Sequence, residues 1–221
     1  MFIGHYAPAL VAATMRRAPR LGPLFIAVQL VDIAFFLFAL AGVEHYGIQP
    51  WFTTMSPLDL YDMRWTHSLL GTLGWAAGFA LVVRLAGGGQ RAAWIGAGVV
   101  ASHWLLDLLV HAPDLTLAGG VRRYGLGLWN HPYVAMPLEL GITALALTFY
   151  ANHTRARDWR GKAALGLLGA AMLGFQLANW LGPRPHEAID PAPAAASLTA
   201  LAVYTILTVF AWWVASTRSP A

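Results

Sequence analysis

The chain has 221 residues, 58% of them hydrophobic and only 11% charged, with a mean hydropathy of +0.56, which is too apolar for a soluble domain of this size. Cysteine is absent, which excludes disulfide frameworks, thiolate zinc sites, iron–sulfur clusters and cysteine nucleophiles, so any metal must be held by nitrogen and oxygen. The net charge of +4 does not argue for nucleic acid, because arginine in a lipid-embedded chain mainly sets orientation.

Residues 2–15 form an apolar stretch closed by Arg16, Arg17 and Arg20. At about 1.5 Å per residue this stretch reaches only ~21 Å, so it reads as a re-entrant half-helix. A cleaved signal peptide carries its positive charges before the apolar run, whereas here they follow it, and the segment is expected to stay. Apolar windows of about 20 residues, the length that crosses a ~30 Å hydrocarbon core, follow at 23–42, 66–86, 92–111, 132–152, 163–182 and 198–216. The expected fold is all-α: a polytopic membrane helix bundle of six transmembrane helices plus the amino-terminal half-helix, forming one domain over 1–221.

With six spans, both chain ends share a side with the loops near 87–91 and 153–162. That side collects Arg16, Arg17, Arg20, Arg84, Arg91, Arg155, Arg157, Arg160, Lys162 and Arg218, against Arg64, Arg122, Arg123 and Arg184 on the other. The positive-inside rule then puts both termini of a multi-pass protein in the cytoplasm. The opposite face holds Glu44, Asp59, Asp62, Asp114, Glu187 and Asp190, in longer loops marked by turn signals such as Ser56-Pro57 and Gly119-Gly120.

An ionisable group inside a membrane segment costs at least ~2.5 kcal/mol on insertion scales, so each one that persists calls for a partner or a task. Asp32, His103, Asp107 and Glu139 are such groups, with the amides Gln29, Gln176 and Asn179 beside them. Counted from the arginine-rich end at about 1.5 Å per residue, Asp32, His103, Asp107, Glu139, Gln176 and Asn179 fall between ~14 and ~24 Å, and His5 on an upward-pointing half-helix reaches ~18 Å. They form one layer. His103-x3-Asp107-x3-His111 lines a single helix stripe, since residues four apart stack on one face, and offers two or three ligands for zinc, manganese or iron. Interhelical hydrogen bonding is the plainer reading of a lone His-x3-Asp. Two more acids and another histidine in the same layer favour the metal. Thr66 and Ser68 suit helix caps, and His67 between them, above Asp107, adds a candidate ligand or proton carrier. His131 ranks lower. His45, His153 and His186 read as loop residues, and Trp51, Trp65, Trp129 and Trp180 as an interfacial aromatic belt.

Gly4-His5, Asp32-Ile33, Thr66-His67-Ser68-Leu69-Leu70 and Ser102-His103-x3-Asp107 occur in the order found in the membrane-bound metal-dependent hydrolases, the family that includes a LexA-regulated inner-membrane protein of enteric bacteria. Over roughly its first half the chain resembles that family. Ala34 stands where the family has a second acid, and Asp62-Met63-Arg64 where it has His-Arg-Gly; either one metal position is lost or Asp62 and Glu139 compensate.

The resemblance implies one or two divalent ions, zinc first and manganese or iron as alternatives, bound by His5, Asp32, His103 and Asp107 with His67 and His111 completing the set. A bound ion lowers the pKa of its water toward ~7 and polarises a phosphoryl or carbonyl oxygen. Glu139 or Asp62 then serves as general base, with His67 in reach as a proton carrier. A site opening from mid-bilayer to an acidic rim suits a lipid-like substrate, a phosphoester or ester drawn from the membrane lipids around it. Two other classes compete. An ion or proton transporter also carries buried acids and histidines, although here the cytoplasmic third of the spans holds almost none. A non-catalytic membrane subunit could use the layer for packing or haem ligation.

Overall fold

The computed structural model describes residues 1–220. Its regular structure is helical apart from two short strand pairs, with long irregular connections between α2 and α3, α4 and α5, and α6 and α7. A 3-10 turn at Ile3–His5 leads into α1 (Tyr6–Ala12), followed by α2 (Leu21–Leu40), α3 (Leu69–Leu85), α4 (Gln90–Val110), α5 (Pro132–Asn152), α6 (Trp159–Leu181) and α7 (Ala194–Thr217). Each of the six apolar windows carries a helix. Five of them, α2, α4, α5, α6 and α7, are long and apolar enough to cross a membrane, while α3 has 17 residues and is shorter.

The helix ends follow local chemistry. Ser68 starts α3 by accepting a hydrogen bond from the Gly71 amide at 3.0 Å. Gly71 is needed there, because a Cβ at that position would lie 2.4 Å from the Trp65 carbonyl oxygen. Asp158 caps α6 through the amides of Arg160 and Gly161. Pro132 opens α5, where its missing N–H costs nothing.

The ends of the bundle are tied by the strands, which the sequence reading did not anticipate. At the acid-rich end, β1 (His45–Ile48) and β2 (Leu58–Asp62) pair antiparallel with His45 opposite Asp62, and Ile48 also bridges to Ile189 of the α6–α7 connection. At the arginine-rich end, β3 (Thr154–Ala156) pairs antiparallel with β4 (Arg218–Pro220). β1 and β2 lie within the α2–α3 connection, and β3–β4 ties the α5–α6 connection to the end of α7.

α2 sits at the centre, packed on α1, α4 and α7, and α3 packs along α4. The core gathers Tyr6, Leu10, Phe25, Val28, Val100, Leu168 and Leu207. Outward faces remain apolar: Leu70, Leu81, Leu85, Leu105, Leu145, Leu198 and Val209 are all exposed. A water-soluble monomer does not show so much exposed apolar side chain; on helices of this length it matches contact with lipid.

The segment read as a half-helix over 2–15 is a 3-10 turn plus seven α-helical residues. It is among the most buried parts of the molecule, lying against α2 and α5 rather than at the surface.

Candidate metal centre

The polar layer closes into one cluster next to the acid-rich end. α2 supplies Asp32, α4 supplies His103 and Asp107, the cap of α4 supplies His111, the turn before α3 supplies His67, and the 3-10 turn supplies His5. All are buried except Asp32, which is 18% exposed.

Asp107 is the hub. Its Oδ1 lies 3.1 Å from His5 Nε2 and 3.4 Å from His111 Nε2, while its Oδ2 lies 3.0 Å from His103 Nε2 and 3.8 Å from His67 Nε2. Asp32 Oδ1 lies 3.1 Å from His67 Nε2 and 3.4 Å from His103 Nε2. The six residues singled out as metal ligands are therefore brought together. The Met1 nitrogen also approaches Asp107 Oδ1, at 3.3 Å.

The far nitrogens of three rings decide what these contacts mean. His103 Nδ1 lies 2.8 Å from the Val28 carbonyl, which can only accept, so Nδ1 carries the proton. His111 Nδ1 donates to the Asp114 carboxylate at 2.9 Å. Thr66 Oγ1 donates to Glu44 Oε2 at 2.7 Å, so its oxygen accepts from His67 Nδ1 at 2.9 Å. In each neutral ring the Nε2 lone pair then faces carboxylate oxygen, acceptor against acceptor. Only a cation or a proton between them makes that attractive.

The His5 and His103 rings are stacked with centroids 4.1 Å apart, so both rings are not protonated together in this buried site; protons on His103 and His111, or one cation between the rings and the carboxylates, would each balance the charge. A divalent ion matches the two carboxylates with the rings left neutral. His5 Nε2, His103 Nε2 and Asp107 Oδ2 have no hydrogen-bond partner, which leaves them free to ligate an ion.

Four atoms held at about 2.0–2.1 Å around tetrahedral zinc sit roughly 3.3 Å from one another. Of the six separations among Asp32 Oδ1, His67 Nε2, His103 Nε2 and Asp107 Oδ2, the four between an imidazole nitrogen and a carboxylate oxygen are 3.0 to 3.8 Å. The groups His5–His103–Asp107 and Asp32–His67–His103 could each hold a metal ion. His67 and His111 each have an oriented hydroxyl or carboxylate behind them, the arrangement that fixes ligand rings in metal sites.

The proposed bases separate. Glu139 is buried, and its Oε1 accepts from the amides of Phe2 at 2.5 Å and Gly4 at 3.2 Å, which docks the amino-terminal turn carrying His5. It also borders the cavity beside the cluster. Asp62 is not brought there. The β1–β2 register turns it toward His45 Nδ1, at 2.9 Å, and it also pairs with Arg64 at 3.2 Å. It lines a separate cavity of about 400 Å³ with Tyr61, Thr116 and Arg123. Partial burial alone would raise the Asp62 carboxyl, but the bonds from His45 and Arg64 outweigh it and hold the group below the usual aspartate range.

Of the amides in the layer, Gln176 Oε1 accepts from the Ile3 amide at 3.2 Å, Asn179 borders the main cavity, and Gln29 is buried one turn from Asp32. His131, His153 and His186 are exposed and stand apart from the cluster.

Several contributors escaped the sequence reading. Glu44, taken as a rim acid, is fully buried and accepts from the amides of Trp65 and Thr66 as well as the Thr66 hydroxyl. Tyr204 donates to Asp32 Oδ2 at 3.1 Å. Trp129, assigned to the aromatic belt, packs its ring against His111 at 4.5 Å. The His111-x-x-Asp114 spacing was visible in the sequence; Glu44 and Tyr204 left no local signal.

The cluster forms one wall of a cavity of about 500 Å³, whose other walls are largely apolar and include Phe35, Phe36, Phe175 and Val203. Comparison with protein-family profiles, curated proteins and solved structures finds no match for the chain.

Proposed function

We propose that the protein is a membrane-embedded, metal-dependent hydrolase of the kind its amino-terminal motifs resemble, acting on a phosphoester or ester bond of a lipid-like substrate. In this reading α3 also crosses the bilayer, giving six spans with both termini on the cytoplasmic, arginine-rich side of a bacterial inner membrane. Zinc is the favoured ion, with manganese and iron as the alternatives.

The observation that carries the reading is the convergence of three Nε2 lone pairs on the carboxylates of Asp32 and Asp107, each ring fixed from behind by an acceptor. Asp32, His67 and His103, or His5, His103 and Asp107, would hold the ion, with His111 beside Asp107. The ion would supply a water acidic enough to act as hydroxide at neutral pH. The chain does the rest. Glu139 Oε2, the oxygen not used by the amino-terminal turn, would take the proton from an attacking water as its oxygen bonds to phosphorus or carbonyl carbon. The ester bond to the departing oxygen breaks, and a proton returns to that oxygen from the protonated base. Buried apolar walls keep bulk water from competing.

The cavity's size falls within the roughly 300–1,000 Å³ usual for small-molecule sites, and its mixture of apolar wall and one polar end suits an amphiphile.

Elemental analysis of detergent-purified protein tests the reading, run beside His103→Ala and Asp107→Ala. Stoichiometric metal in the wild type and its loss in both variants is expected. Full metal content in both variants would refute it.

A further inference from the structure

The residues around the main cavity are not equally enclosed. Its roof at the acid-rich end is made by Tyr46, Met55 and Leu60, all buried, and its inner wall by the His/Asp cluster. The exposed lining residues are Ala178 and Asn179 of α6 and Thr199 of α7. The cavity therefore opens sideways between the upper halves of α6 and α7, not upward through the loops.

The height of that opening matters. At about 1.5 Å per residue, Ala178 lies ~28 Å above the start of α6, Thr199 ~27 Å above the end of α7, and Asp107 ~26 Å above the start of α4. The opening and the hub of the cluster share one level. In a membrane that level lies in the leaflet opposite the arginine-rich end, near the boundary of headgroups and chains. Leu177, Leu181 and Leu198 are exposed beside it, so the rim is apolar. Asn179 adds an amide where a headgroup would pass.

We infer that the substrate is a phosphate-headed membrane lipid that enters laterally from the outer leaflet through the α6–α7 gap. Its phosphate reaches the His/Asp cluster, and its chain lies along Phe35, Phe36, Phe175 and Val203. This rests on the hydrolase reading for the role of the phosphate, and adds the substrate class and the route.

The test uses the full chain in phosphatidylcholine vesicles doped with phosphatidylglycerol that carries a photoreactive diazirine in its acyl chain. After irradiation, adducts are mapped by mass spectrometry, and metal content is measured on the same preparation. Adducts on Phe35, Phe36 or Val203 inside the cavity are expected. Thr199→Trp, a change at an exposed position, should lower them severalfold with metal content unchanged. Unlabelled phosphatidylglycerol should compete and diacylglycerol should not. Equal competition by both would overturn the assignment of a phosphate headgroup. Adducts confined to outward positions away from the opening, such as Leu81, Leu145 and Val209, in protein that holds its metal, would overturn lateral entry and leave the hydrolase reading standing. Interior adducts in protein that binds no metal would support the route and remove the hydrolase reading.

Discussion

Thr66→Val is the most discriminating single change, because it keeps shape and removes one hydroxyl. That hydroxyl accepts from His67 Nδ1 at 2.9 Å and donates to Glu44 Oε2 at 2.7 Å. Valine leaves the His67 Nδ1–H without its acceptor and Glu44 Oε2 without its donor, at a cost of about 1–3 kcal/mol for each group left unpaired. Glu44 keeps its bonds from the amides of Trp65 and Thr66 through Oε1, so the turn before α3 should hold. The loss should therefore fall on the orientation of the His67 ring. Removing such outer partners typically costs 10–100-fold in metal affinity, or roughly 1.4–2.8 kcal/mol. Zinc titration against a competing chelator measures this directly. Thr66→Ser, which restores the hydroxyl, should return affinity to the wild-type value. Unchanged affinity in Thr66→Val would show that the relay from Glu44 does not position a ligand, and the tautomer reasoning for His67 would fail with it.

Other outcomes follow from the same geometry. Tyr204→Phe removes the donor to Asp32 Oδ2 and should weaken metal binding about tenfold, at the lower end of outer-partner effects, read by the same titration. Asp62→Asn should leave metal content intact, because Asp62 belongs to the β1–β2 pair, and should cost no more than about 1 kcal/mol as a largely solvated interaction. Its carboxyl is held low by His45 and Arg64, so that stabilisation is present above the usual aspartate range and disappears on acidification through the lowered value, which a pH series of unfolding on wild type and Asp62→Asn would detect as a converging difference. Arg218→Ala should destabilise the arginine-rich end without touching the metal, because the buried guanidinium donates to the carbonyls of Ala151, Thr154 and Gly161 and to the Thr154 hydroxyl. A cost of about 1–3 kcal/mol is expected from the acceptors left behind, read as faster thermal inactivation at unchanged metal stoichiometry. Glu139→Gln, which keeps an acceptor oxygen for the Phe2 and Gly4 amides, should retain metal and lose hydrolysis; retained turnover would remove Glu139 as the base.

The helices and the depth of the polar groups were legible in the sequence because both are one-dimensional quantities. Apolar length sets a helix that must satisfy its own backbone, and a fixed rise per residue converts position into height. That is why His5, Asp32, His103 and Asp107, spread over about a hundred positions, could be set on one level, while the full ligand set with His67 and His111 rested on the family resemblance. What height leaves undetermined is rotation and lateral neighbourhood. Asp62 and Glu44 show the difference: both are acids of the same loop region, yet strand pairing turns Asp62 toward His45 and sends Glu44 beneath Thr66. Only side-chain packing among α2, α4, α6 and α7 decided which nitrogen of each imidazole faces inward, that Tyr204 reaches Asp32, and that the cavity opens between two helices. The Tyr204–Asp32 contact joins residues 172 positions apart, and no local pattern encodes a partner at that distance.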